Sequence, residues 1–129
     1  MAAEPFEYAV LRVVPRVERG ERINVGVILF CRTRQFLGAR IQLDGVRREA
    51  VLSLAPSVDL EAILDHLGVI DRIVKGDPSA GPMAELADPE RFRWLVSPSS
   101  TMIQPSEVHT GMTDDPAVTL DQVFSSQVA

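Results

Sequence analysis

Thiol is scarce in this chain of 129 residues, which carries one cysteine, Cys31. An internal disulfide is therefore excluded, and the usage suits a reducing interior. Long apolar runs are missing too: no window approaches the roughly 18 uninterrupted apolar residues of a membrane helix. The opening Met1-Ala2-Ala3-Glu4-Pro5 has no basic segment of the kind that starts a secretory signal. These absences predict a cytoplasmic protein with no membrane partner. Lysine is also rare, since Lys75 is the only one among 13 basic residues. Arginine is the better fork for carboxylate or phosphate, although genome composition accounts for the same richness. From Thr101 onward there is no Lys or Arg, while Glu107, Asp114, Asp115 and Asp121 stand there. Residues 1–50 hold nine arginines against six acids, yet the whole chain is at −5. That balance lacks the basic footprint of a duplex nucleic-acid binder.

What is present belongs to a folded protein, with 46% hydrophobic and 24% charged residues. The length is that of one ordinary domain, and no composition shift or repeat divides residues 1–129. Phe6 to Val14 reads as a strand stopped by Pro15, apolar on both faces except for Arg12, and so a central one. Ile23 to Cys31 is a second strand, with Ile23, Val25, Val27, Leu29 and Cys31 on one face. Gln35 to Leu43 is a third, with Leu37, Ala39, Ile41 and Leu43 on its oily side. Joining the two oily faces places Leu37 opposite Cys31, Ile41 opposite Val27, and Phe30 against Gly38. The mixed second face includes Phe30, so something must cover part of it.

Helices are expected over Val46–Leu54 and after a cap at Ser57 or Asp59, where Leu60, Ile63, Leu64, Leu67, Ile70 and Val74 keep helical spacing. Asp88-Pro89 and Asp115-Pro116 each read as a cap followed by proline in the first turn. Between those two helices, residues 97–111 are rich in hydroxyls and long enough to be functional. One short strand is expected there, near Thr101 to Gln104. The fold class is α+β: an antiparallel meander of three to four strands with helices packed on one face.

Candidate sites each have a structural reading beside the functional one. Asn24 and Gly26, two apart on an apolar strand, make either a ligand-facing notch or a bulge with the amide spent on backbone. Glu21 with Arg12, Arg19 or Arg22 is either a held carboxylate or a surface ion pair. His109-Thr110-Gly111 is the best place for acid/base chemistry, since histidine titrates near neutrality, but a turn explains it as well. Serines 97, 99, 100 and 106 and Glu107 are too many neighbours to choose among. His66 falls on the polar side of its helix. Two histidines and one cysteine give no metal-ligand spacing, and no phosphate loop, nucleophile elbow or dinucleotide fingerprint occurs. No cofactor is implied.

Two segments carry a family likeness. Tyr8-x-Val10-Leu11-Arg12-x-x-Pro15 followed by Arg19-Gly20-Glu21-x-x-Asn24-Val25-Gly26-Val27 resembles the opening of the bacterial domain-of-unknown-function family DUF3037. Trp94-Leu95, the serines, Gln104 and His109-Thr110-Gly111 before Asp115-Pro116 resemble its ending. The resemblance implies no activity and no catalytic residues. It implies a partner only by association, because members tend to be encoded beside HipA-like serine/threonine kinases.

Two functions of different class follow. One is a non-enzymatic interaction or regulatory module, with a HipA-like kinase as candidate partner. The other is a small-anion-binding protein, or a hydrolase or transferase, using a polar notch of Glu21, Arg22, Asn24 and Gly26 closed by His109. Whether the protein is an enzyme stays open at this level. Arg12, Glu21, Arg22, Asn24, Gly26, His109, Thr110 and Gly111 are the candidate binding residues.

Overall fold

A computed structural model describes residues 2–99 and 101–129. Its centre is an antiparallel sheet of five strands: β1 (Glu4–Val13), β2 (Ile23–Cys31), β3 (Phe36–Ile41), β4 (Ile103–Pro105) and β5 (His109–Thr113). The order is β3-β2-β1-β4, with β5 also pairing with β1. The central place of β1 fits its two apolar faces, and β2 lies between its sequence neighbours as expected. Four helices complete the α+β fold: α1 (Gly45–Leu54), α2 (Leu60–Val74), α3 (Asp88–Leu95) and α4 (Pro116–Gln127). Two short 3-10 turns, Pro78–Ala80 and Pro82–Glu85, occupy the breaker-rich connector. Among the described residues no helix is long and apolar enough to cross a membrane.

Helices cover one face as expected, and α4 adds cover on the other. On the first face the α2 stripe of Ile63, Leu67, Ile70, Ile73 and Val74 is buried with Ile28 and Phe30 of β2 and Phe92 of α3. Phe30 stacks on Phe92 with ring centres 5.2 Å apart, rather than lying over Gly38. On the second face Val27, Leu29 and Cys31 bury against Leu120, Phe124 and Val128. Val27, Leu29 and Cys31 of the oily row therefore meet α4, and the row containing Ile28 and Phe30 meets α2. The cover that Phe30 on the mixed face required is supplied by α2 and α3.

The β2–β3 register differs from expectation by one residue. Phe30 pairs with Leu37, Cys31 with Phe36, and Gly26 with Ile41. The turn spans Arg32 to Gln35, with Gln35 at φ 52° and its N–H donating to the Arg32 carbonyl at 3.1 Å. A one-residue slip exchanges the two faces of a strand. Burial alone did not decide the register here, because both faces of β2 are covered.

A bulge then divides β2. Gly26 pairs with Leu11 and Asn24 with Arg12, leaving Val25 as the extra residue. Beyond it Ile23 and Val25 turn to the α2 face and Asn24 turns to α4.

The capping signals were mostly local and legible. Asp59 caps α2 by accepting from Ala62 N at 3.1 Å, and Asp115 caps α4 by accepting from Val118 N at 3.3 Å. Asp88 is instead the first residue of α3, after Ala87, and its carboxylate takes Arg91 Nη2 at 2.7 Å.

Candidate functional site

The bulge fixes the first group of candidates. Asn24 is half-buried and its Nδ2 donates to the carbonyl of Gln127, in the last turn of α4, at 2.9 Å. Its own carbonyl accepts from Arg47 Nε of α1 at 3.1 Å. A Cβ on Gly26 would stand 2.9 Å from the Arg40 carbonyl oxygen and 3.0 Å from Ile41 Cγ1. Gly26 is thus required by close approach of the neighbouring strand, and the amide of Asn24 is spent on backbone. Both observations agree with the structural reading of this pair.

Glu21 selects Arg19 among its three candidate partners. Arg19 Nη2 donates to Oε2 at 3.2 Å, and Nε sits 2.8 Å from Oε1 without hydrogen-bond alignment. Both side chains are more than a third exposed, so the pair adds at most about 1 kcal/mol.

His109 and its neighbours lie in β5, not in a turn. His109 pairs with Tyr8, Thr110 with Glu7 and Gly111 with Phe6. The His109 and Tyr8 rings are centred 5.2 Å apart, and His109 Nε2 is 3.6 Å from Glu107 Oε1. Thr110 points to the opposite face, where Glu7 holds Arg93 through two bonds of 2.9 and 3.0 Å. At Gly111 a Cβ would meet Phe6 Cζ at 2.6 Å, so the ring of Phe6 occupies the space of the missing side chain.

The two motif segments flank β1 from opposite sides. Asn24 is in register with Arg12 and His109 with Tyr8, so the pairs are separated along β1 by about 13 Å at strand rise. Arg12 is the link between them. It is half-buried and its Nε has no hydrogen-bond partner. Burial, and then the like charge of Arg22, pushes its guanidinium below the ordinary range, while Glu107 opposes them. Glu107 is held below the usual carboxylate range first by its own backbone N–H and then by the charges of His109, Arg12 and Arg22. Arg12, Arg22, Glu107 and His109 therefore share one electrostatic neighbourhood. Asn24 and Gly26 do not face His109: the notch beside them is bounded by α1 and the end of α4.

The serines resolve differently. Ser106 is buried between β4 and β5, where its Oγ accepts from Val10 N at 2.8 Å and donates to the Glu107 carbonyl at 2.8 Å. It repairs the ladder where the pairing with β1 is interrupted. Ser97 donates to the Arg93 carbonyl and Ser99 bonds with Thr101; Ser100 lies outside the described residues. Among the described residues no three His, Cys, Asp or Glu side chains converge as a metal site would need. Cys31 is buried against α4.

A groove not anticipated from the sequence runs between α2, the end of α3 and β4. It holds about 300 Å³, with Leu11, Ile70 and Ile103 on its floor and Trp94, His66 and Ser97 at its rim. Trp94, the only tryptophan, is 50% exposed there. Its place in the family-like motif was a signal, but the motif alone did not say whether the ring is core or surface.

Fold and candidate residues together define a small α+β protein whose polar groups straddle the central strand of one antiparallel sheet. The chain belongs to the family described as Protein of unknown function (DUF3037), whose model matches residues 8–128. No curated protein and no solved structure matches it.

Proposed function

We propose that this protein is a non-enzymatic interaction and regulatory module of the cytoplasm, and that its partner is a HipA-like serine/threonine kinase. The kinase comes from the association implied by the family resemblance. The observation that carries the interaction reading is Trp94. A half-exposed indole beside an apolar floor is the side chain and setting that dominate binding energy at protein interfaces. The hydroxyls and His66 at the rim supply the polar edge that such a patch needs.

The enzymatic alternative has less to support it. Glu21 is taken by Arg19, and Gly26 and His109 pair with Leu11 and Tyr8, on opposite sides of β1. The test is calorimetric titration of the protein into a purified HipA-like serine/threonine kinase from the same cell. Binding that Trp94→Ala weakens by about 2 kcal/mol or more supports the proposal. Heat of binding that is absent, or equal for the two proteins, refutes it.

A further inference from the structure

The sheet ends in β3 on one side and, on the other, in β4 and β5 lying end to end along β1. The two edges are guarded differently. On β3, Leu37, Ala39 and Ile41 pack against the α2 cluster, and Arg40 stands mid-strand bonded to Asp121. Charge and helical cover are common ways of closing an edge to further pairing. β5 is open by comparison. Residues 109–113 contain no Lys, Arg, Asp, Glu or Pro. His109, Thr110 and Met112 are exposed, Met112 to 64%, and among the described residues the one strand partner of β5 is β1.

The ladder fixes which backbone groups of β5 are spare. Val10 turns its N–H and C=O toward this edge, where they meet Ser106 Oγ and Ser106 N, each at 2.8 Å. Directions alternate along a strand, so Phe6 and Tyr8 turn the same way and bond their register partners Gly111 and His109. Thr110 and Met112 therefore direct their N–H and C=O groups away from β1, into solvent. Val108 packs into the core on the α2 side, the face shared by Thr110 and Met112. The strand alternation thus runs on from 108 to 112.

We propose that β5 pairs antiparallel with β5 of a second copy of this chain, about a two-fold axis at Thr110, so that two sheets become one. Charge selects the register. An axis at Gly111 sets Glu107 opposite Asp115 of the second copy and Val108 opposite its Asp114, and like charges opposed across strands are destabilising. An axis at Thr110 pairs Thr110 with its own copy, Met112 with Val108, and Glu107 with Thr113. No two charges of one sign then face each other. Thr–Thr is a favourable cross-strand pair, and the exposed Met112 gains apolar cover. Each Thr110 N–H donates to the Thr110 carbonyl of the other copy. The contact is isologous, so it closes at two chains. It does not rest on the kinase reading.

The experiment is sedimentation of the full chain over a concentration series, with disulfide trapping to read the register. The parent should pass from monomer to dimer at high micromolar concentration, as a contact smaller than a standard interface does. Thr110→Lys sets two ammonium groups against each other on the axis and should weaken dimerisation by about tenfold. The melting temperature of the dilute monomer should hardly change, since position 110 is exposed. Thr110→Cys should give an intermolecular disulfide under mild oxidation and Met112→Cys should not, because only position 110 faces its own copy. The parent, whose Cys31 is buried, is the control. A monomer at every concentration overturns the proposal, as does a dimer that Thr110→Lys leaves equally tight, or trapping at 112 in place of 110. A chain that stays monomeric while its Thr110 and Met112 amides shift in NMR on adding the kinase also overturns it, and gives the edge to a strand of that partner.

Discussion

Asn24 and Gln127 are joined by one hydrogen bond of 2.9 Å, and that bond ties the bulge of the second strand to the last turn of the last helix. It closes a contact across 103 residues of sequence. Replacing the amide by an isosteric hydrocarbon, Asn24→Leu, leaves the Gln127 carbonyl without its partner. The bond is open to solvent, so the cost should be near 1 kcal/mol rather than that of a buried orphan. Asn24→Asp should cost more above the carboxylate range, because it sets a negative charge against a helix C-terminus. Urea unfolding at pH 7 checks the order of the two variants, and amide exchange should localise the loss to the end of α4. Equal stability of all three proteins would defeat this account.

How much of this was legible in the sequence depends on the range over which each feature is decided. Asp59 and Asp115 cap helices through contacts three residues away, and the α2 stripe follows one local period. Those signals were readable. The pairing of Phe30 with Leu37 is decided by a single residue, Gln35, which adopts positive φ and lengthens the turn. Periodicity cannot register such a choice when both faces of the strand are oily. β5 was hidden for a related reason: His109-Thr110-Gly111 has little strand character of its own, and Gly111 fits only because Phe6 fills its place. The candidate residues Arg12 and Asn24 were visible as polar breaks in apolar strands. Arg47 and Gln127, which complete their surroundings, were not, because nothing near them in the chain marks them.

Phe124 anchors α4 to the sheet and is 2% exposed. Phe124→Ala should therefore cost about 3–5 kcal/mol, the usual range for emptying a buried ring. Arg40 lies over the same ring at 4.3 Å and bonds Asp121 at 3.1 Å, but both charged side chains are about half exposed or more. Arg40→Gln should cost no more than about 1 kcal/mol. Thermal or urea denaturation of the two variants gives the ratio. A larger loss from Arg40→Gln would mean that the ion pair, not the ring, holds α4 down.

The Glu107 neighbourhood makes a pH prediction with a definite sign. Its folded carboxylate is held below the ordinary value by its own backbone N–H and by His109, Arg12 and Arg22. A depressed carboxylate contributes stability above its unfolded pKa and loses that contribution as pH falls through the folded value. Wild type should therefore exceed Glu107→Gln in stability at pH 7, and the two curves should converge in acid. High salt should narrow the gap at pH 7, because the charges are exposed to screening. Curves that stay parallel from neutral pH to pH 3 would remove Glu107 from this role.

Two glycine substitutions should act in opposite directions. Gly26→Ala places a methyl 2.9 Å from the backbone oxygen of Arg40 and 3.0 Å from Ile41 Cγ1. Backbone cannot move aside as a side chain can, so β2 and β3 must part locally, at a cost of about 1–3 kcal/mol. Gly68 lies inside α2 with nothing within 4 Å of its absent Cβ. Gly68→Ala should stabilise the protein by about 0.5–1 kcal/mol, through helix propensity and a smaller unfolded ensemble. Denaturant midpoints measured side by side decide the matter, and in the double variant the effects should add. If Gly26→Ala is as stable as the parent, the strands are less closely apposed than described. Gly26 would then have to be explained by what approaches it from outside the fold.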